Sequence, residues 1–222
     1  LTDHCPKPLL MAAGKPLIVW HIERLAAAGI TELVINHAHL GHMLESALGD
    51  GHALGVSIHW SPEGTSARET AGGIRLALPF LGETPFLAVN GDVFCDADFS
   101  ALADKAQGLS ADKGDLAHLL LVDNPAHHPD GDFALAAGRV MSAGEPRLTF
   151  AGIGAYHPAL FADIAAGEHA RLAPLLRTAM TQRQVSGEHH RGEWEDIGTP
   201  ERLAALDARL TLSAPRQAGG IE

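Results

Sequence analysis

A chain of 222 residues, 46% apolar and 19% charged, is long enough for one large α/β domain or two small ones and can bury a substantial core without covalent staples. Its formal net charge of −11 argues against a nucleic-acid-binding surface, which needs clustered Lys and Arg to replace phosphate counterions, so an anionic substrate has to be met by local cations or a metal. Cys5 and Cys95 are too few for a disulfide framework and fit no zinc-site spacing, which makes the cytoplasm the natural compartment; no apolar run approaches the roughly 20 residues of a membrane helix, and no signal segment is visible.

The sequence opens without methionine on Leu1-Thr2-Asp3-His4-Cys5-Pro6-Lys7-Pro8, which reads like the middle of a loop. Residues 14–29 carry Leu17, Ile18, Trp20, His21, Leu25 and Ala28 at helical spacing, with Gly29 closing the helix. Residues 32–36 read as a short buried strand ending at Asn36 and His37, and residues 40–48 as a second helix stopped by Gly49-Asp50-Gly51. Residues 56–60 alternate like a strand and run into the loop Ser61-Pro62-Glu63-Gly64; a helix over 70–81 follows, with Gly72-Gly73 near its start.

Phe86-Leu87-Ala88-Val89 then stops abruptly at Asn90-Gly91-Asp92. A buried parallel strand delivers polar side chains to its carboxyl end in this way, and ligands of open α/β sheets sit there. An aspartate at that end, with a glycine letting the backbone come close, suits a hard cation such as Mg²⁺ bridging phosphate oxygens. The same three residues are common turn formers, so the fragment alone leaves a simple turn open.

The second half is less regular. Residues 99–106 read as a helix, 116–122 as a strongly apolar strand, 124–131 as a polar loop with two prolines and two histidines, 133–140 as a hairpin arm and 148–156 as a further strand. Helices are expected over 158–166 and 173–183, a final hairpin or strand pair over 185–196, and a last helix capped by Thr199 with Pro200 at its first position. Alternating strands and helices of this size predict a three-layer α/β/α arrangement with a mostly parallel central sheet. Neither linker nor repeat is visible, so residues 1–212 form one domain and residues 213–222 a frayed tail. The 14 histidines, among them His37, His39 and His42, His127-His128 and His189-His190, match no metal pattern and read as solvated or capping groups.

Four polar clusters stand in order along the chain: Pro6-Lys7-Pro8-Leu9, Ser61-Pro62-Glu63-Gly64 with Glu69-Thr70-Ala71-Gly72-Gly73, Asn90-Gly91-Asp92, and Trp194-Glu195-Asp196-Ile197-Gly198-Thr199-Pro200-Glu201-Arg202-Leu203. Together they resemble the sugar-phosphate nucleotidyltransferases, whose domain is a Rossmann-like nucleotide-binding α/β fold. Val122-Asp123-Asn124-Pro125, Gly131-Asp132-Phe133, Thr149-Phe150-Ala151-Gly152-Ile153, Leu172-Ala173-Pro174-Leu175-Leu176-Arg177 and Val185-Ser186-Gly187-Glu188-His189 resemble the branch that uridylylates N-acetylmuramate 1-phosphate in peptidoglycan recycling.

The resemblance implies an enzyme that joins a sugar 1-phosphate to UTP and releases pyrophosphate, with Mg²⁺ as cofactor. It assigns Asp92 and Asp196 to the metal, and Lys7 to catalysis and to the nucleotide phosphates. Glu69, Gly72 and Gly73 fall to the nucleotide, and Asn90, Asp132 and Gly152 to the sugar. Asn90 and Asp92, two apart, are expected on one face of the strand. Ala71 stands where the family usually has glycine, and residues 65–68 are more polar than the pattern. The family also begins with a strand and a loop of the type Leu-Ala-Ala-Gly-x-Gly-x-Arg, so roughly 16 residues holding a central strand and phosphate-binding amides are expected ahead of Leu1. The rival within the class is a mannose- or glucose-1-phosphate transferase using GTP or dTTP. The rival outside it is a non-catalytic nucleotide-sugar sensor. Partners are the two small substrates, with no nucleic acid and no membrane; oligomeric state is not readable.

Overall fold

Strands that are apolar on both faces need cover on both. The computed structural model, which describes residues 4–64, 66–112 and 114–213, provides it with helices on two sides. The strands are β1 Met11–Ala12, β2 Lys15–Pro16, β3 Glu32–His37, β4 Ser57–Pro62, β5 Phe86–Val89, β6 Val93–Cys95, β7 Ala117–Val122, β8 Phe133–Ala136, β9 Arg139–Met141, β10 Arg147–Tyr156, β11 Val185–His189 and β12 Trp194–Asp196. The helices are α1 Leu17–Ala27, α2 Gly41–Leu48, α3 Glu69–Leu81, α4 Phe99–Gln107, α5 Leu172–Thr181 and α6 Pro200–Ser213. Residues 214–222 of the expected tail, and Thr65 of the polar segment 65–68, lie outside the described residues.

Every residue of β7 is buried, and its side chains divide by strand alternation. Leu120 and Val122 join Ile18, Ile22 and Leu102 of α1 and α4, while Leu119 and Leu121 join Ile74 and Leu176 of α3 and α5. This is the expected three-layer arrangement. Among the described residues no helix is long and apolar enough to cross a membrane.

The pairing departs from a mostly parallel sheet. The main sheet has the order β5-β10-β7-β11-β9-β8, and only β7 with β11 pairs in parallel within it. The cause is β10, which runs antiparallel between β5 and β7; β5, β7 and β11 still share one direction. β3 and β4 form a separate parallel pair, and β6 with β12 a separate antiparallel ribbon. The strand pair expected over 185–196 is therefore not a hairpin: β11 joins the main sheet and β12 joins β6. Residues 133–140 are both arms of a hairpin, β8 and β9, turning at Ala137 and Gly138 with positive φ. Residues 158–166 form only a short 3-10 turn, Pro158–Phe161, and residues 14–16 belong to the hairpin of β1 and β2 rather than to α1.

Between β3 and β5 lies an apolar cleft of about 1180 Å³, lined by Ile22, Leu33, Ile35, Leu87 and Val89 among others. Among the described residues β3 pairs only with β4 and β5 only with β10, so each has one backbone edge without a strand partner there. All four residues of β5 are consequently half-buried, although none is polar.

Candidate active site

Pro6 and Pro8 hold the backbone around Lys7, which starts the 3-10 turn Lys7–Leu9. A β-carbon on Gly91 would stand 3.1 Å from Pro8 Cγ, so the glycine permits this close approach. Lys7 Nζ is thereby brought to 3.2 Å from Asp92 Oδ2, with both side chains partly open to solvent. Lys7 and Asp92 are 85 residues apart in sequence.

β5 ends at Val89, and Asp92 lies in the turn with Gly91, directly ahead of β6. Asn90 and Asp92 therefore do not share a strand face, because the strand has ended between them. What aligns Asp92 is the β6–β12 ribbon, in which Asp196 stands opposite Val93 and the Ile197 amide donates to the Asp92 carbonyl at 2.9 Å. The two carboxylate-bearing residues are thus fixed by one backbone ladder. Carboxylates are hard oxygen donors, and two partly solvated ones carried by joined backbone segments, one of them beside a lysine, are a donor set that suits a divalent cation carrying phosphate.

Two residues that the sequence reading left without a role complete this corner. Arg202 Nη1 donates to Asp196 Oδ2 at 2.9 Å, and His127 Nε2 lies 3.4 Å from the same oxygen. Arg202 owes its place to α6: Thr199 Oγ1 accepts from the Arg202 amide at 3.3 Å, which turns its side chain toward the ribbon. Because the guanidinium orients the carboxylate, Arg202→Met is expected to lower turnover about 10–100-fold, in the way that the loss of a ligand's orienting partner does. Steady-state kinetics over a divalent-metal series checks it, with a raised metal requirement as the expected outcome.

On the other side of Asn90 the chain bulges. Phe150 pairs with Leu121 and Gly154 with Leu119, so Ala151, Gly152 and Ile153 stand opposite Leu120 alone. The bulge sends the Gly152 carbonyl to the Asn90 amide at 2.9 Å and the Ala151 carbonyl to Trp194 Nε1 at 2.8 Å, tying β10 to both β5 and β12. Gly152 has φ +73°, and a β-carbon there would meet Asn90 Nδ2 at 2.6 Å. Gly152→Ala is expected to destabilise the fold by about 1–3 kcal/mol and to displace Asn90. A lowered melting temperature together with a raised KM for the sugar phosphate would be the readout.

The remaining candidates are placed as follows. Asp132 Oδ2 accepts from the Phe150 amide at 2.8 Å and Oδ1 lies 3.2 Å from His128 Nε2, so this carboxylate braces the start of the bulge. Glu69 starts α3, is exposed, and stands 3.6 Å from Arg171 Nε. Gly72 faces the backbone of residues 168–170, where a β-carbon would meet the Glu168 carbonyl at 2.4 Å; it serves the packing of α3. Gly73 faces Glu63, whose Oε1 a β-carbon would approach to 2.7 Å, and its carbonyl accepts from Asn36 Nδ2 at 2.8 Å. Asn36, Glu63, Glu69, Gly73 and Asn90 form a polar rim on the apolar cleft, at the carboxyl ends of β3, β4 and β5. Lys7, Asp92 and Asp196 are outside the cleft's lining.

Seven of the 14 histidines, His4, His39, His42, His52, His59, His127 and His169, are exposed as expected, while others pair with carboxylates. His37, His127, His128, His189 and His190 each stand within 3.4 Å of a carboxylate oxygen. His157 does cap, accepting from the Ala159 amide at 3.1 Å. His21 is buried, and desolvation holds its pKa below the ordinary value although its Nε2 lies 2.7 Å from the Val93 carbonyl.

Comparison with known proteins gives the same family. The family model described as nucleotidyl transferase matches residues 1–129. Over 211 residues the chain is 54% identical to the N-acetylmuramate alpha-1-phosphate uridylyltransferase of Neisseria meningitidis serogroup B, covering 94% of this chain and 90% of that one. It is 32% identical over 219 residues to the protein of the same name from Caulobacter vibrioides, covering 95% and 90%. Among solved structures, a UDP-glucose pyrophosphorylase from Acinetobacter baumanii superposes with a TM-score of 0.75 at 15% identity, covering 96% of this chain and 88% of that one, which establishes likeness of fold. With its fold, its paired carboxylates and these matches, the chain belongs to the nucleotidyl transferase family.

Proposed function

We propose that the protein transfers the uridylyl group of UTP to N-acetylmuramate 1-phosphate in the cytoplasm, as a step of peptidoglycan recycling, with Mg²⁺ as its metal. The observation that supports the reaction class is the ion pair of Lys7 with Asp92, whose backbone is bonded to that of Ile197, the residue after Asp196, at the end of the β6–β12 ribbon. The choice of substrates is supported by the names of the two uridylyltransferases matched over nearly the whole chain.

In the reaction an oxygen of the sugar 1-phosphate attacks the α-phosphorus of UTP in line. A new P–O bond forms, the bond to the bridging oxygen breaks, and pyrophosphate leaves with that electron pair. The attacking oxygen is already anionic, so no side chain has to remove a proton. The protein's task is to hold two mutually repelling anions together and to offset the charge that builds on them. Lys7 meets phosphate oxygens at the Asp92 corner as a mobile point charge. Asp92 and Asp196 would hold the metal, which would neutralise phosphate charge, and Arg202 fixes the Asp196 carboxylate by its hydrogen bond. Asn36, Glu63, Glu69 and Gly73 form the nucleotide side, and Asn90 with the Gly152 bulge the sugar side. Asp132 acts on the sugar side through the bulge that it braces.

Pyrophosphate release measured over a panel of UTP, GTP and dTTP against the 1-phosphates of N-acetylmuramate, glucose and mannose tests this reading. Turnover is expected with UTP and N-acetylmuramate 1-phosphate, at a kcat/KM well above every other pair. Preference for GTP with mannose 1-phosphate would assign the protein to the guanylyl branch. Binding of UDP-sugar without any pyrophosphate release would make it a sensor.

A further inference from the structure

The far end of the β6–β12 ribbon holds a second set of ligating side chains. Cys95 Sγ, an Asp96 carboxylate oxygen and a His190 ring nitrogen all lie within 4.8 Å of one another. They come from two segments: Cys95 closes β6 and Asp96 follows it, while His190 follows β11. Both segments are anchored by backbone bonds, Asp96 N to Glu193 O at 3.1 Å and His190 N to Leu121 O at 2.8 Å, so the convergence is built into the sheets. Residue 192 leaves room for it. A β-carbon on Gly192 would stand 2.4 Å from Asp96 Oδ1 and 2.7 Å from His190 Nε2.

A simple ion pair accounts for part of this geometry, since His190 Nε2 lies 2.7 Å from Asp96 Oδ1. It does not account for the thiol. Cys95 is fully buried, yet its sulfur is turned toward the two polar groups and accepts a hydrogen bond from the Ala97 amide. An N–H aimed at sulfur stabilises the thiolate that a metal requires. Burial opposes it, pushing the thiol pKa up to about 11. Thiolate, imidazole and carboxylate form a borderline-soft donor set of three, which leaves one tetrahedral position open toward the solvent-exposed Asp96 side. The hard carboxylates Asp92 and Asp196 at the other end of the ribbon have the opposite preference.

We propose that Cys95, Asp96 and His190 form a binding site for a thiophilic divalent cation of the Zn²⁺ class. The cation ties the end of β6 to the segment joining β11 and β12. It thereby clamps the ribbon whose opposite end presents Asp92 and Asp196, and its role is structural, separate from the reaction.

Titration of the metal-free protein with Co²⁺ tests the site by spectroscopy, independently of activity. A sulfur-to-cobalt charge-transfer band is expected to saturate at one equivalent, to be displaced by Zn²⁺ and to persist in excess Mg²⁺. It is expected to vanish in Cys95→Ser and in His190→Gln, and to remain in Cys5→Ser. Since Cys95 is buried, His190→Gln is the safer variant. Its circular dichroism in chelator should match the parent, so that loss of the band cannot be ascribed to unfolding. Zn²⁺ should raise the melting temperature of the parent and leave that of His190→Gln unchanged. A parent protein without the band, or a band that survives either substitution, overturns the assignment.

Discussion

Asp92→Asn and Asp196→Asn are each expected to lower kcat by about 10²–10³-fold or more, the range seen when one preorganised electrostatic contact to a developing charge is removed. Asparagine keeps the volume and one acceptor oxygen, so what is lost is the charge. At position 92 the substitution also frees Lys7, whose partner is then a neutral amide 3.2 Å away. That pair is exposed to solvent on both sides, so its loss changes stability by less than about 1 kcal/mol and the melting temperature should stay close to the parent's. At position 196 the consequences differ, because Arg202 and His127 both lean on the carboxylate, and α6 is expected to loosen slightly. A raised Mg²⁺ requirement for the residual activity would tie both losses to metal binding. Near-normal pyrophosphate release by purified Asp92→Asn would refute the metal role.

The frame of this site was legible because it is written in short apolar runs that end on polar residues. β5 stopping at Asn90, β7 buried on both faces and α6 starting behind Thr199 all follow from local pattern. The pairing of Lys7 with Asp92 was legible only through resemblance, since contacts 85 residues apart leave no periodicity in the chain. His127 and Arg202, 75 residues apart, illustrate the limit: a histidine in a polar loop and an arginine on an exposed helix have no pattern that announces a shared carboxylate. The histidine pairs escaped for the same reason. β6 and β12, three residues each, are too short for alternation to declare them, yet their ladder sets the position of both carboxylates. The direction of β10 was hidden because apolar alternation is blind to strand polarity. Gly152 and Gly154 inside a strand pattern did carry the sign of a bulge.

A chain engineered to place an added apolar strand in the cleft between β3 and β5 is expected to be more stable than residues 1–222 by a few kcal/mol, a rise of about 10 °C in melting temperature, and to be the more active of the two. The cleft between β3 and β5 is the reason. The connection from β4 through α3 to β5 has the form of a β–α–β crossover, which would set β5 parallel to β3, and among the described residues β3 pairs with β4 alone and β5 with β10 alone. A strand laid between them would merge the β3–β4 pair with the main sheet and satisfy both backbone edges. Its side chains would enter the apolar space beside Ile18, Ile22, Leu33, Ile35, Leu87 and Val89. Six such side chains at about 1.5–3 kcal/mol each, against about 1.5 kcal/mol of ordering entropy per residue, leave the net gain stated. The exit also fits. Pro8 lines the cleft and packs on Gly91 at the carboxyl end of β5, so a parallel strand would end where Lys7 and Asp92 meet. Amides of the turn leading out of that strand would then face the phosphates at this corner. Thermal melts and pyrophosphate release of the two chains, run side by side, decide the matter. Equal melting temperatures would show that the cleft accepts no strand, and a stabilised chain with unchanged turnover would confine the strand's role to the core.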